Sequence, residues 1–66
     1  GDKSVIISLW NVDDKSTSIL FSKFYDYLNE GDSKAQALRK AKMYLRKETT
    51  YSHPFYWAPF VLMGES

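Results

Sequence analysis

The run Val5-Ile6-Ile7-Ser8-Leu9, followed at once by Trp10-Asn11-Val12-Asp13-Asp14, constrains this chain more than any other feature. It reads as a strand that passes without a turn residue into an acidic helix start. A strand wetted on one face alternates apolar and polar residues; one covered on both faces need not. Val5 to Leu9 is apolar except for Ser8. A chain of 66 residues with one or two strands can hardly cover both faces of either. The stretch therefore points to a piece of something larger.

Size sharpens that expectation. Sixty-six residues allow one domain at most, with a core that rarely supplies more than about 3–5 kcal/mol. There is no cysteine, so disulfides, thiolate metal sites and a cysteine nucleophile are excluded from these residues. The absence of cysteine also fits a reducing cytoplasm. With one histidine, a structural zinc site has too few ligands, and no cofactor is expected. Aromatic residues make up 17% of the chain, which argues for a folded object. The net charge of +1 implies neither a nucleic-acid nor a membrane partner, and no apolar run approaches the roughly 20 residues of a membrane helix. Gly1-Asp2-Lys3-Ser4 lacks the marks of a secretory leader and reads as an internal boundary.

Four elements follow from pattern. A strand covers about Ser4 to Leu9. A helix runs from about Asp14 to Asn29, with Leu20, Phe24, Tyr27 and Leu28 at helical spacing and Phe21 and Tyr25 widening the stripe. Glu30-Gly31-Asp32 is a stop signal, with Gly where a left-handed residue is wanted. A second helix runs from about Ser33 to Lys47. Ser33 with Gln36 makes a capping box, and Ala37, Leu38, Ala41, Tyr44 and Leu45 form the inner face. Thr49 to Pro54 is a loop. A last strand lies near Trp57 to Met63, with Pro59 at its start or on an edge because it cannot donate a ladder bond. Up, back, up and down again makes the two strands antiparallel if they share a sheet. Helices should cover one side of that sheet, and something outside the chain the other. There is no internal repeat.

Several constellations invite chemistry. Asp13 and Asp14 stand where a strand gives way to a helix, which is where open α/β sheets form sites. The pair would take a cation or a basic side chain there, or simply cap the helix and complement its dipole. Spacing alone favours capping. His53, among Tyr51, Phe55 and Tyr56, has Ser52 beside it but no oxyanion hole, so a local packing or hydrogen-bonding role outweighs catalysis. Lys34, Arg39, Lys40, Lys42, Arg46 and Lys47 gather on or beside the second helix. They read as the solvated face of an amphipathic helix before they read as a phosphate-binding surface. Trp10, Phe55, Tyr56, Trp57 and Phe60 read as core and strand-end seams rather than as a stacking platform.

Two segments, taken in order, go beyond generic pattern. Val5-Ile6-Ile7-Ser8-Leu9-Trp10-Asn11-Val12-Asp13-Asp14 and His53-Pro54-Phe55-Tyr56-Trp57-Ala58-Pro59-Phe60-Val61-Leu62-Met63-Gly64 resemble the C-terminal part of CHAT domains. These are caspase-like domains, often joined to tetratricopeptide repeats, in the peptidase clan of caspases, gingipains and separase. Between them, Phe24-Tyr25 and Ala37-Leu38-Arg39-Lys40-Ala41 are similar to the family's "FY…L…ALR.A" helices. The likeness covers essentially the whole chain, and the order and spacing of its motifs make it specific.

The resemblance implies an α/β fold: a β-α-α-β fragment of a caspase-like three-layer sandwich, two antiparallel strands with a helical hairpin. Residues 1–66 would be the C-terminal part of a single CHAT domain, with no second domain. It also implies cysteine endopeptidase chemistry by a His/Cys dyad that the family carries upstream of the first strand. Neither member has a counterpart here, because there is no cysteine and His53 belongs to the "HP.YW" motif. The chain alone is therefore expected not to be an enzyme. Its partners would be the remainder of the parent domain and, in the parent, a peptide or protein substrate.

One site carries over. Leu9-Trp10-Asn11-Val12-Asp13-Asp14-Lys15 is similar to the "LWDVTDKD" segment of separases, where an aspartate helps form the pocket for the basic residue before the cleaved bond. Asp14 aligns with the first aspartate after "VT", and Asp13 replaces the threonine, so both are substrate-pocket candidates. A rival reading of another class is a protein–protein assembly module. Two strands make a marginal sheet whose edges invite another chain, and a homodimer would bury Val5–Leu9.

Overall fold

The computed structural model describes residues 5–64 as β1 (Val5–Ser8), α1 (Asp14–Asn29), α2 (Lys34–Glu48) and β2 (Phe60–Met63), in the order β-α-α-β. The two strands pair antiparallel, with Val5 opposite Met63, Ile6 opposite Leu62, Ile7 opposite Val61 and Ser8 opposite Phe60. The two strands thus run in the opposite directions that the element order implies. Ser4, expected to open the strand, lies outside the described residues.

Each helix starts where its capping residues stand. Asp13 precedes α1, and its Oδ2 accepts from the Lys15 and Ser16 amides at 2.9 and 3.1 Å. The buried Ser16 hydroxyl donates back to the Asp13 carbonyl at 3.0 Å, sealing the first turn. Ser33 precedes α2, and its Oγ accepts from the Gln36 amide at 3.2 Å. Between the helices Gly31 adopts φ +104°, the left-handed value that a side chain resists. The Gly31 amide then reaches the Leu28 carbonyl at 3.0 Å, and the Asp32 amide the Tyr27 carbonyl at 3.1 Å. Those two bonds make a Schellman turn, so the short antiparallel hairpin has a local cause. No glycine follows α2. Thr49 ends it instead, its hydroxyl donating to the Leu45 carbonyl at 2.8 Å and accepting from the Tyr51 amide at 3.0 Å.

The core lies between the hairpin and one face of the sheet. Leu20 and Phe24 of α1, Ala37, Leu38, Ala41 and Leu45 of α2, and Phe60 of β2 are buried together. Ala37 and Ala41 are both fully buried on the inner face that their sequence positions implied. Phe21 meets Phe60 edge-on at 5.9 Å between ring centres, joining α1 to the sheet. Ile6 and Leu62 pack on the same cluster. Tyr25 departs from the expected stripe: it is exposed, with its ring edge-on to Phe24 at 5.4 Å. It stands at the edge of that stripe, in a groove it shares with Val5, Ile6 and Leu62 of the sheet and Lys34 of α2.

The last strand is shorter than its apolar run suggested. Pro54 to Tyr56 form a 3-10 turn, and the Trp57 and Ala58 amides bond back to the Pro54 carbonyl at 3.2 and 2.8 Å. Pro59 is fully buried just before β2, and its carbonyl accepts from the Leu9 amide at 3.0 Å. Lacking an N–H it returns no bond, which places it at the strand start as anticipated.

The two faces of the sheet differ. Ile6, Phe60 and Leu62 face the helices, whereas Val5, Ile7 and Met63 are exposed. Period-two geometry puts Val5, Ile7, Val61 and Met63 on one outer face, and nothing within the described residues covers it. Among the described residues no helix is long and apolar enough to cross a membrane.

Candidate functional site

The loop from Leu9 to Asp13 leaves the sheet at the carboxyl end of β1 and delivers Asp13 and Asp14 to the start of α1. The structure separates the two carboxylates by role. Asp13 is turned onto its own helix, with Oδ2 committed to two amides. Asp14 is exposed in the first helical turn, where the helix dipole favours negative charge. No hydrogen bond or ion pair within the described residues engages its carboxylate.

The second motif braces this loop from across the chain. The Trp10 indole N–H donates to the Phe55 carbonyl at 3.2 Å, and the two rings stack at 6.1 Å with 28° between their planes. Trp10 and Phe55 nonetheless remain 43% and 45% exposed, so they form a seam at the end of the sheet rather than core. Trp57 locks the same corner by donating from its indole to the Ser52 carbonyl at 3.0 Å, and Tyr56 packs edge-on against Tyr51 and Phe55 at 5.1 and 5.5 Å. Of the aromatic residues in this group only Phe60 is buried outright. The sequence marked these residues as seam and core, but not that Trp10 and Phe55 meet. Their separation of 45 residues hides the contact from any local pattern.

His53 has the local role its surroundings implied. Its Nδ1 accepts from the Phe55 amide at 3.0 Å and caps the 3-10 turn, and the residue is exposed. Ser52 meets it only as a chain neighbour. Among the described residues no group of three or more His, Asp or Glu is arranged to hold a metal ion.

The basic residues of α2 divide. Arg39, Lys40, Arg46 and Lys47 are exposed, as a solvated face requires. Lys42 is half-buried, and burial pulls its ammonium below the usual lysine range. Lys40 goes the other way: its 2.9 Å bond to Asp32 holds the ammonium above the usual value.

The comparisons with known proteins agree with the motifs. The sequence model of the CHAT domain family matches residues 1–65. The human protein tetratricopeptide repeat protein 28 is 33% identical over 64 residues, which are 97% of this chain and 3% of that protein. The Mus musculus protein of the same name is 30% identical over 64 residues, again 97% of this chain and 3% of that protein. The chain thus spans about 3% of the length of these curated relatives. No solved structure matches it.

Proposed function

The chain belongs to the CHAT domain family, and from that membership we propose that residues 1–66 are the C-terminal, non-catalytic part of a caspase-like sandwich whose acidic loop lines the pocket for a basic substrate residue. The observation that carries the reading is the division of labour between the two aspartates. Asp13 satisfies the helix start, so Asp14 need not, and its exposed carboxylate stays available for a two-pronged pair with a guanidinium. The Trp10–Phe55 seam supports the reading because it fixes the loop that presents Asp14. Peptidase chemistry, where the parent has it, would reside in residues outside this stretch, which holds no cysteine.

The test is binding of an arginine-containing peptide to the full-length protein that carries this segment, so that the readout does not depend on turnover. A hydrogen-bonded pair with a charged group contributes about 1.5–3 kcal/mol, or about 10- to 100-fold in affinity. Asp14→Asn should weaken binding by that factor, whereas Asp13→Asn, which keeps a capping oxygen, should change it less than about threefold. Equal effects from the two variants, or none from Asp14→Asn, would sink the pocket.

A second reading rests on the uncovered outer sheet face. Val5, Ile7 and Met63 are exposed on a sheet of two strands among the described residues, and a homodimer packed through its strands, outer face to outer face, would bury them. Sedimentation of the chain should then show association that rises with concentration. A monomer throughout a range up to roughly 1 mM rules this reading out.

A further inference from the structure

The hairpin carries another surface, on a flank to which the sheet contributes nothing. A groove of about 410 Å³ runs between the helices, lined by Tyr27 of α1 and by Arg39, Lys40, Met43, Tyr44 and Lys47 of α2 among others. Its α2 positions 36, 40, 43 and 47 recur at intervals of four, three and four, so they stand in one row along the helix. Two cations are held over its rings. The Lys23 ammonium sits 4.4 Å from the centre of the Tyr44 ring, and that of Lys40 sits 5.6 Å from the centre of Tyr27. Arg39 and Lys47 are exposed, and no ion pair within the described residues engages either. The result is a half-buried floor of Met43 and two tyrosines beneath a mainly basic rim.

We propose that this groove docks an acidic peptide segment of a protein partner. A large apolar side chain of the peptide would seat on Met43 and the tyrosine rings, with carboxylates on either side meeting Arg39 and Lys47. From Gln36 to Lys47 the helix rises about 16 Å, the length of about five extended residues. Charge selects a peptide over a nucleic acid. Asp32 is already paired with Lys40, and Glu48 stands in the lining, so a continuous run of phosphates would meet carboxylates. Tight phosphate binding needs many neutralised charges, and the whole chain carries only +1. An acidic segment with an apolar centre can place its carboxylates between those two acids.

The probe is a fluorescent pentapeptide, Asp-Asp-Phe-Asp-Asp, titrated into the full-length protein and followed by anisotropy at low salt. Saturable binding below roughly 1 mM is expected, weakened about tenfold when the central Phe becomes Ala. The double charge reversal R39E/K47E should weaken it by at least about tenfold, and R39Q/K47Q by less, with the circular dichroism spectrum of both unchanged because the two side chains are exposed. The proposal fails if the peptide does not saturate, or if the reversal leaves its affinity intact. It fails equally if a thymidine oligonucleotide of matched charge binds more tightly.

Discussion

Truncating Leu45 to alanine is expected to unfold this chain outright. Leu45 is fully buried between the helices, in a cluster of seven buried apolar residues among the described residues. Removing a buried leucine side chain costs about 2–5 kcal/mol, part lost transfer energy and part residual cavity. A core of this size supplies about 3–5 kcal/mol in all. The two quantities are comparable, so the variant should lose its cooperative urea transition. Arg46→Ala, one residue on and exposed, should change the unfolding free energy by no more than about 0.5 kcal/mol. A Leu45→Ala chain that still unfolds cooperatively, with its midpoint nearly unshifted, would mean that the helix seam is not where stability resides.

Ile7→Lys should have opposite consequences in two settings. In the 66-residue chain Ile7 lies on the uncovered face of the sheet and is 39% exposed, so a lysine there is cheap, within about 0.5 kcal/mol. In the full-length protein, a sandwich with helices on both sides of its sheet would enclose that face. The same lysine would then place an unpaired charge in the interior, at a cost of several kcal/mol. Thermal melts of both forms, with and without the substitution, read the difference. Equal tolerance in both forms would show that nothing covers the outer face and would remove the main physical ground for the sandwich.

Much of the fold was legible in the sequence because its determinants are local. Asp13, Ser33 and Gly31 each act through bonds to residues two or three positions away, so the helix ends follow from short patterns. The antiparallel pairing followed from element count and the short turn. The end of α2 was harder: Thr49 closes it through its hydroxyl, and a threonine in a polar stretch announces no such role. The start of β2 was overextended because Trp57 is apolar and aromatic like a strand residue, whereas Pro54 and the His53 cap had already committed that segment to a turn. At the candidate site, the two aspartates could be found from sequence, but not their different roles. Which carboxylate turns onto the helix depends on backbone angles at Asp13 that no spacing encodes.

The pairing of Val5 with Met63 sets an order of events during synthesis. Within this segment β1 leaves the ribosome before β2, and the pair closes only once β2 has emerged. At about 5–20 residues per second, some 3–12 s pass between them. The helical hairpin, whose contacts are short in range, can form within that interval, while the apolar Val5–Leu9 stretch waits without its partner strand. An exposed apolar strand is what a nascent-chain chaperone binds and what aggregates when none is present. The register that pairs the two strands thus also leaves β1 waiting on the last residues of the segment.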